Sequence, residues 1–279
     1  MFSSEWLEKT YSVFKWIEDP FTREGFERYK KILESMDKIV EHKWIREVIE
    51  KRDKIRIIDL CGGTGLAGIA LAKKIVGLGK KVDVTIVDLR SSALEKAREF
   101  SVRELGYSVE TIEMNVLDIH RLDRKYDIAL LWGHTTPHFS PWDYARLCAG
   151  LTKILDRESV YIYEETDRFY TIAMMGYKYF LIEAVSDENI VATIHVSRDP
   201  LTGYIVRKAV DLITRKTADL HTYLWDISSS ACITWMFFQD IDFIPETRYR
   251  GYIVAYKPFS SSIVEKILFT KPTMINKQL

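Results

Sequence analysis

Asp59-Leu60-Cys61-Gly62-Gly63-Thr64-Gly65 is the stretch that decides how this chain folds. Ile55, Ile57, Ile58 and Leu60 form a short apolar run leading into it, and Leu66 to Val76 keeps a helical period up to the stop Gly77-Leu78-Gly79. A strand that turns through glycines into a helix brings backbone N–H groups and the positive helix end to the edge of a sheet. The backbone there can approach a ligand closely. Val82, Val84, Ile86 and Val87 give a second strand that ends at Asp88. An acid in that place can accept both hydroxyls of a ribose, and its charge excludes a 2′-phosphate.

The unit repeats outward. Ser92-Ala93-Leu94-Glu95 reads as a capping box opening a helix that stops at Gly106. Further strands fit Val109 to Met114, Tyr126 to Trp132 and Val160 to Tyr163, and a helix opens at Ser140-Pro141. Strands alternating with helices imply parallel pairing with right-handed crossovers, hence an α/β sheet covered on both faces. Residues 1–54 carry aromatic and aliphatic residues at helical spacing and predict two or three helices, broken at Asp19-Pro20. After Glu165 a helix is expected over Asp167 to Glu183. Strands at Ile190 to Val196, Tyr204 to Ile213 and Leu220 to Trp225 then make an antiparallel insertion. A helix near Ser228 to Phe238 and strands at Ile241 to Pro245 and Gly251 to Tyr256 return to the sheet pattern.

Two ligand classes use the glycine-loop plan. Gly63-Thr64-Gly65-Leu66-Ala67-Gly68 matches the dinucleotide fingerprint in form. Against a pyrophosphate stands Asp59, whose carboxylate at the strand end would repel it and suits an ammonium group instead. Asp59-Leu60-Cys61-Gly62-Gly63-Thr64-Gly65 resembles the first motif of the class I S-adenosylmethionine-dependent methyltransferases, with the usual Gly-Cys order exchanged. The resemblance continues through Asp88 in Ile86-Val87-Asp88-Leu89, Asn115 in Met114-Asn115-Val116-Leu117-Asp118, and Tyr126-Asp127-Ile128-Ala129-Leu130-Leu131-Trp132-Gly133.

That resemblance implies a Rossmann-like, doubly wound seven-stranded sheet whose last strand, Gly251 to Tyr256, is antiparallel. The core would occupy 55–165 and 226–257, with an N-terminal helical lid over 1–54, an insertion over 166–225 that shapes the acceptor site, and a tail over 258–279. It implies S-adenosyl-L-methionine as cofactor. Cys61, Gly62 and Gly63 would pass its methionine part beside Asp59, Asp88 would hold the ribose, and Leu89 would flank the adenine. Asn115 and the Val116 N–H would read the adenine edge, and Trp132, at the end of the fourth strand, would be among the cofactor-binding residues.

Ligands of open α/β sheets bind beyond the carboxyl ends of the strands, so the loop Trp132 to Ser140 should face the reacting methyl group. Methyl transfer is an in-line displacement that needs alignment, and a base only when the nucleophile is protonated. His138 and His134 are the candidate catalytic bases, expected to titrate near pH 6 to 7. Glu164, Glu165 and Asp167 could orient an acceptor, and Tyr144 and Tyr170 could line its pocket. Tyr11, Phe14 and Trp16 resemble the aromatic lid helices of small-molecule methyltransferases. No metal-ligand spacing is present.

Composition bounds the function. The 279 residues hold 40 basic and 40 acidic side chains, so the electrostatic footprint of most nucleic-acid binders is missing. The adenine methylases' Asn-Pro-Pro-Tyr tetrad and paired catalytic cysteines are also missing. Charges interrupt every apolar run, which excludes a membrane-spanning helix, and the acidic start lacks a secretory signal, making the cytoplasm the expected compartment. Cys61, Cys148 and Cys232 lie far apart, which fits a reducing compartment. Five Asn and Gln residues in all fit selection at high temperature. The leading expectation is a methyltransferase acting on a small-molecule oxygen or nitrogen. The alternatives are an RNA or protein methyltransferase, an NAD-dependent oxidoreductase and a binding module without turnover. Oligomeric state leaves no mark on the sequence.

Overall fold

The computed structural model describes residues 3–186, 188–259 and 261–276. Three helices come first, α1 (Ser4–Phe14), α2 (Arg23–Val40) and α3 (Lys43–Glu50). The alternating unit follows as β1 (Lys54–Leu60), α4 (Leu66–Gly77), β2 (Lys81–Asp88), α5 (Ser91–Leu105), β3 (Glu110–Glu113), β4 (Tyr126–Leu131), α6 (Pro141–Ile154) and β5 (Leu155–Thr166). Then come β6 (Phe180–Val185), β7 (Ile190–Arg198), β8 (Ile205–Asp211) and β9 (Thr217–Thr222). The chain returns through α7 (Ile227–Trp235), β10 (Phe238–Thr247), β11 (Arg250–Pro258) and α8 (Ser262–Phe269).

The main sheet has the order β10-β11-β5-β4-β1-β2-β3. β1 to β5 pair in parallel, and β11 inserts antiparallel between β5 and β10, as the family resemblance implies. The central strands are covered on both faces, and their sequences are nearly continuous apolar runs for that reason. Alternation sorts them. Ile57, Ile128 and Leu130 face α2 and α4, where Tyr29, Met36, Ile39 and Ile69 pack, and Ile58, Ala129 and Leu131 face α6 with Leu147, Leu151 and Phe238. Met36 has no exposed surface, and its truncation to Ala would cost about 2 to 5 kcal/mol. At the amino edge buried Asp127 holds Arg52 at 2.8 Å and Arg56 at 2.7 Å, which leaves the carboxyl edge free for chemistry.

β6 to β9 form a separate antiparallel sheet. Here the structure corrects the expected helix over 167–183. Only a short helical turn, Phe169–Met174, forms, and Phe180 to Val185 pairs with β7 instead. An apolar run of six residues satisfies either period, and the neighbouring strand's ladder decides it. The expected capping box also fails: Arg90 sits at the N-cap with no side-chain cap, and the Ser92 hydroxyl donates to Glu8. The 258–279 segment contains α8, which buries Val264 and Leu268. Residues 1–54 divide in use. α2 and α3 join the core, while α1 leaves it to pack Val13 and Phe14 on Val191, Ala209 and Ala218 of the insertion. The Trp6 indole N–H donates to the Asp219 carbonyl at 2.9 Å, tying α1 to β9.

Candidate active site

At the carboxyl edge the chain leaves β1 through two residues in the left-handed region, Cys61 at φ 52 and Gly63 at φ 52. The exchanged order of Cys and Gly has a steric reason. A Cβ on Gly62 would stand 2.7 Å from the Asp59 carboxyl carbon and 2.8 Å from Ile86, so glycine belongs at 62, whereas Cys61 has to bear only the backbone conformation. The Gly62 N–H donates to Val87 O at 3.0 Å, stitching the loop to the end of β2.

Asp59 is buried beneath this loop. One carboxylate oxygen accepts the Gly68 N–H of α4 at 2.8 Å, and the other is buried without a hydrogen-bond partner. Burial pushes its acid up to about 7, with the nearby charge of Asp88 acting in the same direction. Burial likewise raises the Cys61 thiol well above its ordinary range, which removes it as a thiolate nucleophile. A small pocket of about 70 Å³ is lined by Asp59, Cys61, Gly62, Gly63, Trp132 and Arg28, among others. An orphaned acid at one wall and a guanidinium at another match the ammonium and carboxylate of an amino-acid tail, which is the test the methionine end of S-adenosylmethionine has to pass.

Asp88 accepts the Gly63 N–H at 2.9 Å and the Arg90 N–H at 2.9 Å. Its carboxylate, with the Arg90 Nε also 3.4 Å away, lines the large cavity and keeps acceptor capacity there for a ribose hydroxyl. That cavity, of about 640 Å³, also meets Cys61, Leu89, Asn115 and Val116 on one side and His138, Thr135, Tyr204 and His221 on the other, under Trp6 and Tyr11 of α1. The expected adenosine residues therefore come together. Asn115 sits differently from the expectation, because its amide oxygen accepts the Leu117 N–H at 3.0 Å and caps a short turn. Trp132 stacks on Tyr252 at 4.8 Å and lines the small pocket of about 70 Å³ rather than the large cavity.

The two histidines part company. Gly133 at φ 83 and His134 at φ 59 turn the loop after β4 so that only His138 reaches the large cavity. Burial, aided by the charge of Arg168, pushes the His138 imidazole down to about 4, against the 6 to 7 expected, while a hydrogen bond to the His221 backbone acts the other way. His134 faces a different cavity, with Arg168 at 3.1 Å and Glu164 at 3.5 Å. Glu164 is occupied by Arg250 and by the Gly133 and His134 N–H groups. Glu165 holds Thr136 at 3.0 Å and Arg168 at 2.8 Å, and burial pushes it up to about 7. Both acids fix the loop instead of facing an acceptor. Asp167 accepts the Tyr170 N–H at 2.8 Å and starts the short helical turn. Buried Tyr144 bonds Thr234, and Tyr170 stacks on Tyr249, so neither lines the large cavity.

Sequence reasoning missed the strap that closes the site. Glu18 grips Arg90 through two bonds of 2.6 and 2.7 Å, and Tyr11 lies over the guanidinium at 3.6 Å. The Thr64 hydroxyl donates to the Glu18 carbonyl at 2.6 Å. Arg90, two residues after Asp88, is buried and a buried guanidinium requires a partner, but the sequence carries no sign of that burial. Arg28 was missed too. Its guanidinium donates to the Ile17 carbonyl and lies against Gly133.

Residues 57–158 match the family described as Methyltransferase domain. A search of the curated proteins returned no match. Among solved structures, a protein from Pyrococcus horikoshii OT3 superposes with a TM-score of 0.60 at 16% identity, covering 90% of this chain and 99% of its own. An S-adenosylmethionine-dependent methyltransferase from Clostridium acetobutylicum ATCC 824 gives 0.59 at 15% identity, covering 90% and 100%. The CcbJ methyltransferase from Streptomyces caelestis gives 0.55 at 14%, covering 74% and 84%. At these identities the structural likeness is one of fold.

Proposed function

We propose, from the premise that residues 57–158 are a class I methyltransferase domain and the chain an enzyme using S-adenosylmethionine, that the methyl acceptor is an oxygen or nitrogen of a small molecule. The observation that carries this reading is the cavity of about 640 Å³ shared between the strand ends and a roof built from α1 and the insertion. Its volume is in the range of small-ligand sites, and its walls beyond the adenosine residues mix aromatic side chains, Trp6, Tyr11, Phe139 and Tyr204, with polar and charged ones such as Thr135, Asp143 and His221. A macromolecular acceptor would call for an open groove, and the chain's zero net charge gives a polynucleotide little to bind.

S-adenosylmethionine supplies a methyl group made electrophilic by its sulfonium. The residues of this chain then have four tasks. Asp59 and Arg28 would hold the amino-acid tail by charge. Asp88 would accept from the ribose hydroxyls, with Leu89 and Asn115 at the adenine. α1, fastened by Trp6, with the Glu18–Arg90 pair in the segment after it, roofs the cavity and would shield the charge interactions beneath it from water. His138 would take the proton that leaves the acceptor. Its imidazole is neutral at pH 7 and therefore able to accept, and being a weak base it does so only as the new bond to carbon forms.

Incubating the protein with methyl-labelled S-adenosylmethionine and cell extract separated into metabolite, RNA and protein fractions tests the reading. Label should enter the metabolite fraction. Label entering RNA or protein alone would overturn the small-molecule acceptor while leaving the methyl donor in place.

A further inference from the structure

Across the loop after β4 from the large cavity lies a second one, of about 660 Å³, between α2 and the β10–β11 hairpin. Its floor is the Trp132–Tyr252 stack, with the rings 4.8 Å apart. The Tyr252 hydroxyl is held by Ser35 at 3.0 Å and Glu246 at 3.3 Å, so the floor is braced. Nothing in methyl transfer as described above uses this space.

Its charges are unevenly paired. On the hairpin side one guanidinium, Arg250, meets two carboxylates, Glu164 and Glu246, the latter at 2.8 Å, so that wall is net negative. On the α2 side Arg28, Lys31 and Lys38 line the cavity, and among the described residues none of them forms an ion pair. The positions 28, 31, 35 and 38 are spaced as one helical stripe, in which the Ser35 hydroxyl donates to the Lys31 carbonyl at 3.2 Å and the cations are left as the groups that can meet an anion. The lining carries four cations, Arg28, Lys31, Lys38 and Arg250, against three carboxylates, Glu34, Glu164 and Glu246, and on the α2 wall Glu34 is the one carboxylate beside Arg28, Lys31 and Lys38. A concave space with an aromatic floor and an excess of cations on one wall is chemically suited to a ring or chain that carries phosphate or carboxylate groups.

We infer that this second cavity is a binding site for a small oxyanion ligand, held by Lys31 and Lys38 of the α2 wall over the Trp132–Tyr252 floor. Arg28 stands at the junction. It lines both this cavity and the small pocket beside Asp59, as Gly133 also does. The site stands on its own geometry and does not depend on which acceptor is methylated.

The test is calorimetric titration of the full chain with inorganic phosphate and, separately, with citrate, each at low ionic strength. A saturable heat with phosphate identifies a phosphate ligand, and one with citrate alone a polycarboxylate. The Lys31→Gln/Lys38→Gln double variant should weaken that binding at least tenfold. Glu34→Gln, which removes the carboxylate of the α2 wall, should tighten it about twofold or more. S-adenosylhomocysteine affinity should stay within twofold in both variants, which separates this site from the donor site and shows that the variants remain folded. Absence of saturable binding for both anions would overturn the inference. So would binding that the lysine variant leaves unchanged, or binding that S-adenosylhomocysteine displaces completely, since that would place the anion in the donor's carboxylate pocket.

Discussion

Asp59→Asn separates the two things the buried carboxylate does. The acid is pushed up to about 7 from an ordinary value of 3.8, chiefly by burial. A carboxyl that holds its proton more tightly folded than unfolded favours the folded state at low pH. That advantage is complete below about pH 4 and is lost as pH rises from there to about 7, beyond which the difference is constant. The upper bound on the loss is about 4 kcal/mol, at 1.4 kcal/mol for each tenfold change in proton affinity. The amide introduced by Asp59→Asn keeps an acceptor for the Gly68 N–H and cannot ionise, so the apo variant should be close to wild type at pH 4.5 and more stable by a few kcal/mol at pH 8. Ligand binding runs the other way. If Asp59 must be ionised to receive an ammonium, S-adenosylhomocysteine affinity rises through pH 7, and the ionised fraction alone predicts about a 25-fold weakening from pH 7.5 to 5.5. Calorimetry across that range, beside denaturant melts of the apo protein, reads both effects. The variant should bind at least tenfold more weakly at pH 7.5 and show a flat profile. A flat wild-type profile, or a slope that survives in the variant, would refute the assignment of Asp59 to the ammonium.

His138→Ala should lower kcat about 100-fold with S-adenosylhomocysteine affinity unchanged, and the wild-type kcat/KM should show no inflection from His138 between pH 6 and 8, because its imidazole lies near 4. Unaltered turnover in the variant would leave alignment as the source of rate. Glu18→Gln removes the counter-charge from a guanidinium that is 3% exposed; a loss of about 1 to 3 kcal/mol in thermal or denaturant stability and faster release of S-adenosylhomocysteine are expected, and neither would change if the strap were idle. Gly68→Ala places a Cβ 2.8 Å from the Asp59 carboxylate; it should weaken donor binding by more than an ordinary surface substitution on α4, which parallel titration of Lys74→Ala would measure.

The parts of this molecule visible in the sequence are those whose signal is local. β1, the glycine loop and α4 follow one another without a break, and Asp59, Asp88 and Leu89 end up at one edge because strand ends place them there. Helix N-capping by Ser140 before Pro141 was equally local, and its hydroxyl accepts the Asp143 N–H. What stayed hidden depends on partners far away in the chain. Glu18 and Arg90 lie 72 residues apart, and no periodicity announces their pairing. The run Phe180 to Val185 becomes a strand only because β7 offers Ile194 opposite Phe180. His134 and His138 are four residues apart, yet the left-handed turn at Gly133 and His134 sends them to different cavities. Asn115 reaches the cavity wall in an orientation the sequence does not announce, since the demand of a turn for its own cap claims the amide oxygen first.

Side-by-side calorimetric titration of the purified chain with S-adenosylhomocysteine and with NADH, repeated on Asp88→Asn, tests most directly that the glycine loop, Asp59 and Asp88 form a site for an amino-acid nucleoside. One saturable site for S-adenosylhomocysteine is expected, with no comparable heat from NADH and a loss of about 1 to 3 kcal/mol in affinity when the Asp88 carboxylate becomes an amide. Tighter binding of NADH, or an S-adenosylhomocysteine affinity indifferent to Asp88→Asn, would contradict that assignment.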